Sequence, residues 1–136
     1  MLQVRSLDHF VLRVRNLESS LAFYRDVLGL KIEFLEEYRA GTRPFVSARV
    51  GETSLIDLVP DPTYDPEKGA NAGGFLHFCL DVPTCDFERV IPWLRGKGVD
   101  VIEEQPVPRM GARGMGLSIY VRDPDGYVVE LKREAN

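Results

Sequence analysis

FLHFCLDV, residues 75–82, holds one of only two histidines in the chain. The other lies in LDHFVLRV, residues 7–14, a near copy of the same stretch. Aligned on their histidines, both read His-Phe-x-Leu-x-Val: His9-Phe10-Val11-Leu12-Arg13-Val14 against His77-Phe78-Cys79-Leu80-Asp81-Val82. Successive side chains of a strand point to opposite faces. Phe10, Leu12 and Val14 therefore share one face and His9 takes the other, and Phe78, Leu80 and Val82 oppose His77 in the same way. A repeated strand with its histidine at a repeated point is the signature of a duplicated module.

Reading outward from the first copy, residues 5–14 are a strand and NLESSLAFYRDVLG, residues 16–29, a helix. Leu17, Leu21, Tyr24 and Leu28 recur at helical spacing, Asn16 can cap the start and Gly29 suits the residue after the end. Three strand-like runs follow: LKIEFLEEY, PFVSARV and TSLIDLV. From the second copy, FLHFCLDV is again a strand and TCDFERVIPWLRGKG a helix that ends at Gly98. VDVIEE, GLSIYVR and YVVELKR are its three further strands. Pro92 falls inside the second helix, where it removes a hydrogen bond and is expected to kink it. The spacing predicts a single α+β domain over residues 1–136: module one at 5–59, a Gly- and Pro-rich linker at 60–74 and module two at 75–133. Each module has the order β-α-β-β-β. One helix cannot cover both faces of four strands, so one sheet face packs on the helix and the other is left to close on something else.

A chain of 136 residues can bury a substantial core. Its 44% apolar and 28% charged content is that of an ordinary globular protein, and a net charge of −4 gives no reason to expect nucleic acid or an anionic membrane as partner. No apolar run has the length of a membrane span, and MLQVRSLD has no signal-peptide core. Cys79 and Cys85 do not form a disulfide framework, so a reducing, cytoplasmic setting is expected.

The acids on the last strand of each module repeat too. Ser54-Leu55-Ile56-Asp57-Leu58 aligns without a gap on Tyr127-Val128-Val129-Glu130-Leu131. Asp57 and Glu130 thus hold equivalent places, each between two apolar residues and facing away from the helix-packed side. If the modules pair, His9, His77, Asp57 and Glu130 converge in one cleft. Imidazole nitrogen with carboxylate oxygen suits Zn, Ni, Mn, Fe or Co and leaves positions open for substrate or water. Aspartate is one methylene shorter than glutamate and reaches less far.

LDHFVLRVRNLESSLAFYRDVLGLKIE resembles the opening module of the vicinal oxygen chelate superfamily, which includes glyoxalase I, fosfomycin-resistance proteins, methylmalonyl-CoA epimerase and extradiol dioxygenases. GLSIYVRDPDGYVVELK is similar to that superfamily's closing hairpin, with DPDG as the turn. The resemblance covers essentially the whole chain. It implies two β-α-β-β-β modules pairing into open, eight-stranded barrel-like sheets that cup one divalent metal ion. It further implies His9, His77 and Glu130 as metal ligands, with Asp57 where glyoxalase I has a glutamate ligand. Substrate chemistry in the superfamily places two oxygens on the metal, which stabilises a developing enolate or alkoxide.

Extradiol cleavage uses a histidine beyond the ligands, and none is left here. Glyoxalase-type isomerase or lyase chemistry needs a carboxylate that can move a proton beside a carbonyl, and Asp57 and Glu130 are the catalytic candidates. TSLIDLVP resembles the equivalent strand of the epimerases with aspartate substituted, but SIYVRDPDG departs from their closing pattern. PVPRMGARGMGLSIYVRDPDGYVVEL resembles the matching stretch of fosfomycin-resistance proteins and of a virulence-associated glyoxalase-like group. Ser118 and Tyr120 fall where the former contact phosphonate. Against that reading, Val11 replaces an expected threonine and the chain ends before the late basic residue of thiol-using members. PRMGARG, residues 108–114, reads as a basic surface loop, or as a lid placing Arg109 or Arg113 over an anionic substrate. Tyr120 also suits cross-strand packing, and Cys79 shares the face of His77 but reads as a buried small apolar residue.

The expected function is a divalent-metal-dependent, glyoxalase-like enzyme acting on a small oxygenated substrate as a homodimer. A fosfomycin-resistance-like transferase or epoxide hydrolase is the alternative. A non-catalytic drug-binding protein of the bleomycin-resistance type is the third reading, which retention of the metal-ligand types argues against.

Overall fold

The computed structural model describes residues 1–134, and the chain divides into two units, Met1–Asp65 and Pro66–Asn136. Each unit carries its own sheet, and together they make a mixed α+β fold. No helix among the described residues is long and apolar enough to cross a membrane.

In the first unit, β1 (His9–Val14) runs parallel to β4 (Ser54–Pro60). Next come β3 (Val46–Val50) and β2 (Lys31–Glu33), each antiparallel to its neighbour, in the order β1-β4-β3-β2. The expected alternation holds on β1: Leu12 and Val14 are buried while His9, Val11 and Arg13 are exposed. The helix after β1 begins as α1 (Leu17–Leu21), where the Asn16 carboxamide accepts the Ser19 N–H at 3.0 Å. It then widens into a π turn over Ala22–Val27, within which the adjacent Phe23 and Tyr24 are both buried and meet edge to face. The run LKIEFLEEY is not one strand, as expected, but two elements. β2 stops at Glu33, Phe34 turns left-handed at φ 68°, and α2 (Leu35–Arg39) follows. Glu36 and Glu37 in its first turn and Arg39 in its last complement the helix dipole. The Phe34 ring is capped by the Arg43 guanidinium, 3.8 Å from its centroid.

In the second unit, β5 (Phe78–Asp81) runs parallel to β9 (Val128–Glu134), and β9 pairs antiparallel with β8 (Gly114–Arg122). The far edge of β8 is shared by the two-residue β6 (Asp100–Val101) and by β7 (Val107–Gly111). The second helix, α3 (Phe87–Gly96), starts on Asp86, whose carboxylate accepts the Glu88 N–H at 3.1 Å. It buries Phe87, Ile91 and Leu94 and runs through Pro92 as one element. DPDG makes the turn expected of it. Asp123 accepts the Asp125 and Tyr127 N–H groups at 2.9 Å each, and Gly126 takes φ 91°.

β7 is the main departure from the sequence reading. PRMGARG is not a loop throughout; most of it is the outer strand of a hairpin with β8, and only residues 112 and 113 turn. Glycine within a strand often marks close backbone approach, and Gly116 shows why. A Cβ there would stand 2.2 Å from the Arg133 carbonyl oxygen, and neither backbone can swing away. Gly116→Ala is expected to destabilise the fold by about 1–3 kcal/mol, read as a lower urea midpoint with an unchanged m-value. A midpoint equal to wild type would refute the close approach.

Candidate metal and substrate site

In the first unit, the parallel pairing of β1 with β4 sets Val11 opposite Asp57, so His9 stands one ladder step away on the same face. His9 Nδ1 donates to Asp8 Oδ1 at 2.6 Å, which leaves Nε2 outward. That bond is the first cause holding the imidazole above its usual pKa. Desolvation opposes it, and the charges of Asp57 and then Asp8 add smaller raising contributions. Asp57 is buried, and its Oδ1 accepts the Ser47 hydroxyl at 2.6 Å. Ser47 lies directly opposite Asp57 on β3 and is itself approached by Arg43 Nη2 at 3.5 Å. The Arg43 guanidinium is stacked between the rings of Phe34 and Phe45, with centroid distances of 3.8 and 4.4 Å.

The second unit repeats the arrangement. β5 sets Cys79 opposite Glu130, and His77, one residue before the strand rather than within it, takes the place of His9. Here the pair is closed: His77 Nε2 lies 3.0 Å from Glu130 Oε2, with the carboxylate buried. Tyr120 lies opposite Glu130 on β8 and hydrogen-bonds to its carboxylate, while Arg109 Nε donates to the Tyr120 oxygen at 3.1 Å. Burial pushes the Tyr120 phenol up, the Arg109 bond opposes this, and the Glu130 charge adds to it. The His77 ring packs edge-on against Tyr120, 5.4 Å between centroids.

Cys79 is not the buried residue expected. It stands exposed on the face of His77, yet its sulfur is crowded. Partial desolvation and then the Glu130 charge push its thiol up to about 11, so it stays protonated at neutral pH.

Of the residues singled out from sequence, His77, Glu130, Tyr120 and Arg109 therefore form one connected group. His9 and Asp57 share a face of the first unit, one ladder step apart. Ser118 shares the face of Tyr120 but is fully buried, with no hydrogen-bond partner for its hydroxyl. Among the described residues no three His, Cys, Asp or Glu side chains are gathered as a metal-holding group. Each unit offers a pair. The sequence reading missed Asp8, Ser47 and Arg43. Ser47 was within reach of it: the turn Gly51-Glu52-Thr53 sets Val50 against Ser54, and counting back lands Ser47 on Asp57. The units share one plan, arginine to hydroxyl to buried carboxylate: Arg43–Ser47–Asp57 and Arg109–Tyr120–Glu130.

A groove of about 600 Å³ in the second unit lies on the other side of its sheet, against α3. Its walls include Phe87, Ile91, Leu117 and Arg133, and the last two alternate with Ser118 and Lys132 along their strands. Strand parity separates it from the histidine face.

Residues 6–131 match the Glyoxalase/Bleomycin resistance protein/Dioxygenase superfamily. The chain belongs to it. It is 32% identical over 128 residues to a lactoylglutathione lyase of Neisseria meningitidis, covering 92% of this chain and 88% of the relative. To the virulence protein STM3117 of Salmonella typhimurium it is 27% identical over 128 residues, covering 93% and 83%. A crystal structure of a glyoxalase/dioxygenase from Nostoc punctiforme shares the fold with a TM-score of 0.77 at 22% identity, over 97% of this chain and 92% of that one.

Proposed function

We propose that this superfamily member is a divalent-metal-dependent enzyme of the glyoxalase type, with isomerase or lyase activity on a small oxygenated substrate. The observation that carries this reading is the shared register. In both units the carboxylate lies opposite the residue two places after the histidine, on one face, buried and backed by a hydroxyl donor. The names of relatives at about 32% identity support the lyase class.

The residues fit a metal ion by their donor chemistry. Imidazole nitrogen and carboxylate oxygen 3.0 Å apart at His77 and Glu130 are the ligand types that borderline divalent ions take. Asp8 on His9 Nδ1 is the carboxylate–imidazole support that metal-binding histidines commonly carry. His9, His77 and Glu130 are the proposed metal ligands, with Asp57 as the fourth. Zn, Ni, Mn, Fe and Co all suit the set. When bound, such an ion supplies Lewis-acid polarisation of the substrate oxygens.

The protein's own groups divide the remaining work. Glu130 is buried and held by His77 and Tyr120, which suits a fixed ligand. Asp57 is held by Ser47 through Oδ1 alone, and among the described residues no hydrogen bond ends on its Oδ2. That oxygen is free to take a proton from the carbon beside a carbonyl and return it to the neighbouring carbon. The net change is an isomerisation. Arg109, Tyr120 and Ser118 are the proposed substrate contacts, on the face of Glu130.

The test is turnover of the glutathione thiohemiacetal of a three-carbon 2-oxoaldehyde by metal-loaded protein, followed by thioester absorbance and by solvent deuterium at the receiving carbon. Thioester formation supports the reading, and its absence in metal-replete protein counts against it. The Arg109–Tyr120–Glu130 chain favours one second reading, a fosfomycin-resistance-like transferase or hydrolase, for which thiol or water opening of an epoxide phosphonate is the corresponding assay.

The same reading includes a homodimer. Leu2, Val4 and Leu7 ahead of β1, and Val11 on that edge strand, are exposed apolar side chains, the kind of surface that proteins cover. Light scattering at high protein concentration should give twice the chain mass of 15.4 kDa. A monomer mass there would refute it.

A further inference from the structure

We propose that the groove between α3 and the sheet of the second unit is a second ligand site, which takes a small monocarboxylate with an aromatic or branched apolar body. It goes beyond the reading above and does not depend on it. Strand parity sets the groove on the opposite side of β8 and β9 from His77 and Glu130, and no metal enters its chemistry. Its volume of about 600 Å³ is that of a small-molecule pocket.

The groove has fixed walls. Phe87 and Ile91 line it from α3, Leu117 from β8, and Pro106 from the connection between β6 and β7. That connection is pinned at Glu103 from two sides. The Glu103 carbonyl accepts from Arg95 Nη2 of α3 at 3.1 Å, and its carboxylate accepts the Tyr120 N–H of β8 at 3.0 Å. The wall therefore stands in place before a ligand arrives. Pro92, a residue at odds with a helix interior, lines the same groove and adds an apolar ring to it.

Arg133 supplies the charge. It lies opposite Leu117 in the ladder, with its guanidinium carbon 5.5 Å from the centroid of the Phe87 ring and its Nε buried without a hydrogen-bond partner. Glu88 and Glu104 also line the groove, yet among the described residues no carboxylate pairs with this guanidinium. A buried charged donor left unpaired is costly. A guanidinium takes a carboxylate through two parallel N–H bonds, so one held side-on by Nε and a terminal nitrogen satisfies it. The apolar body of such a ligand then lies along Phe87, Ile91 and Leu117. Glu88 and Glu104 are exposed, and water and salt screen them, whereas the buried edge of Arg133 is not screened. The guanidinium thus sets the sign of the ligand, and the two acids disfavour a second negative charge on it.

The experiment titrates the full chain with phenylacetate and follows backbone amide shifts. Saturable shifts at Phe87, Ile91, Leu117 and Arg133, with a dissociation constant on the order of 1 mM, are the expected result. Acetate lacks the apolar body and phenethylamine reverses the charge, so each should bind roughly tenfold or more weakly. Arg133→Met keeps an apolar stem against Phe87 without the donors. It should weaken phenylacetate by a similar factor and leave metal content unchanged. Wild-type affinity in Arg133→Met overturns the site, and so does phenethylamine or acetate binding as tightly as phenylacetate. If the variant does not fold, the wild-type maps decide. Phenylacetate shifts at the groove residues, stronger than those of both analogues, uphold the site, and shifts confined to the face of His77 and Tyr120 overturn it.

Discussion

His77→Ala is expected to abolish metal retention. Protein purified without chelator should carry about one divalent ion per chain, and the variant close to none. Loss of a group that merely orients a ligand costs 10- to 100-fold in affinity, so loss of the ligand itself should cost on the order of 100-fold or more. The variant should still fold. Glu130 keeps the Tyr120 hydroxyl as a donor, and the apolar face of β9, Val129 and Leu131, is untouched. A thermal measurement separates the two effects. An ion at 100 times its dissociation constant stabilises the wild-type fold by about 2.7 kcal/mol through linkage, and His77→Ala should lose that increment on top of the about 1–3 kcal/mol that the lost partner of buried Glu130 costs the metal-free fold. Full metal content in the variant would sink the ligand assignment.

The site and its surroundings were unequally legible in the sequence, for physical reasons. The histidines and acids could be placed because successive strand side chains face opposite ways, an alternation that shows in the burial of β1 and β5. The predicted equivalence of Asp57 and Glu130 reappears as matching ladder pairs, Val11 with Asp57 and Cys79 with Glu130. Alternation gives a face but not a partner. Asp8 and Arg43 act through distances that depend on register and side-chain path, which apolar patterning does not encode. Arg43 in particular reaches Ser47 because two aromatic rings hold its guanidinium. At residues 108–114 the glycines have the look of loop punctuation in the sequence. In a hairpin whose backbone and lysine stem press on Gly116 and Gly111, the same residue type extends a strand. Leu35–Arg39 was absorbed into a strand because it follows one directly. Its helix-forming composition was the competing signal, released by the left-handed turn at Phe34.

Asp57→Asn separates binding from chemistry. Asparagine has the same shape and keeps an oxygen to accept from Ser47, so the Ser47 contact and the packing of β3 on β4 should survive. Metal should be retained on His9, His77 and Glu130, because only the shortest of the four proposed ligands changes, and it changes to a neutral oxygen donor. What disappears is the basic oxygen. Removal of a general base costs about 100- to 10,000-fold in rate, so turnover of the thiohemiacetal and deuterium entry from solvent should fall together by that factor. Ser47→Ala is the informative companion. Without its hydroxyl donor the Asp57 carboxylate is left unpaired at Oδ1 but remains a base. Its rate should fall far less than that of Asp57→Asn. If Asp57→Asn keeps its metal and still exchanges deuterium at the wild-type rate, the proton passes through another group. Glu130 would then be the remaining carboxylate to carry it, and the reading in which three ligands serve epoxide opening would take precedence over isomerase or lyase chemistry.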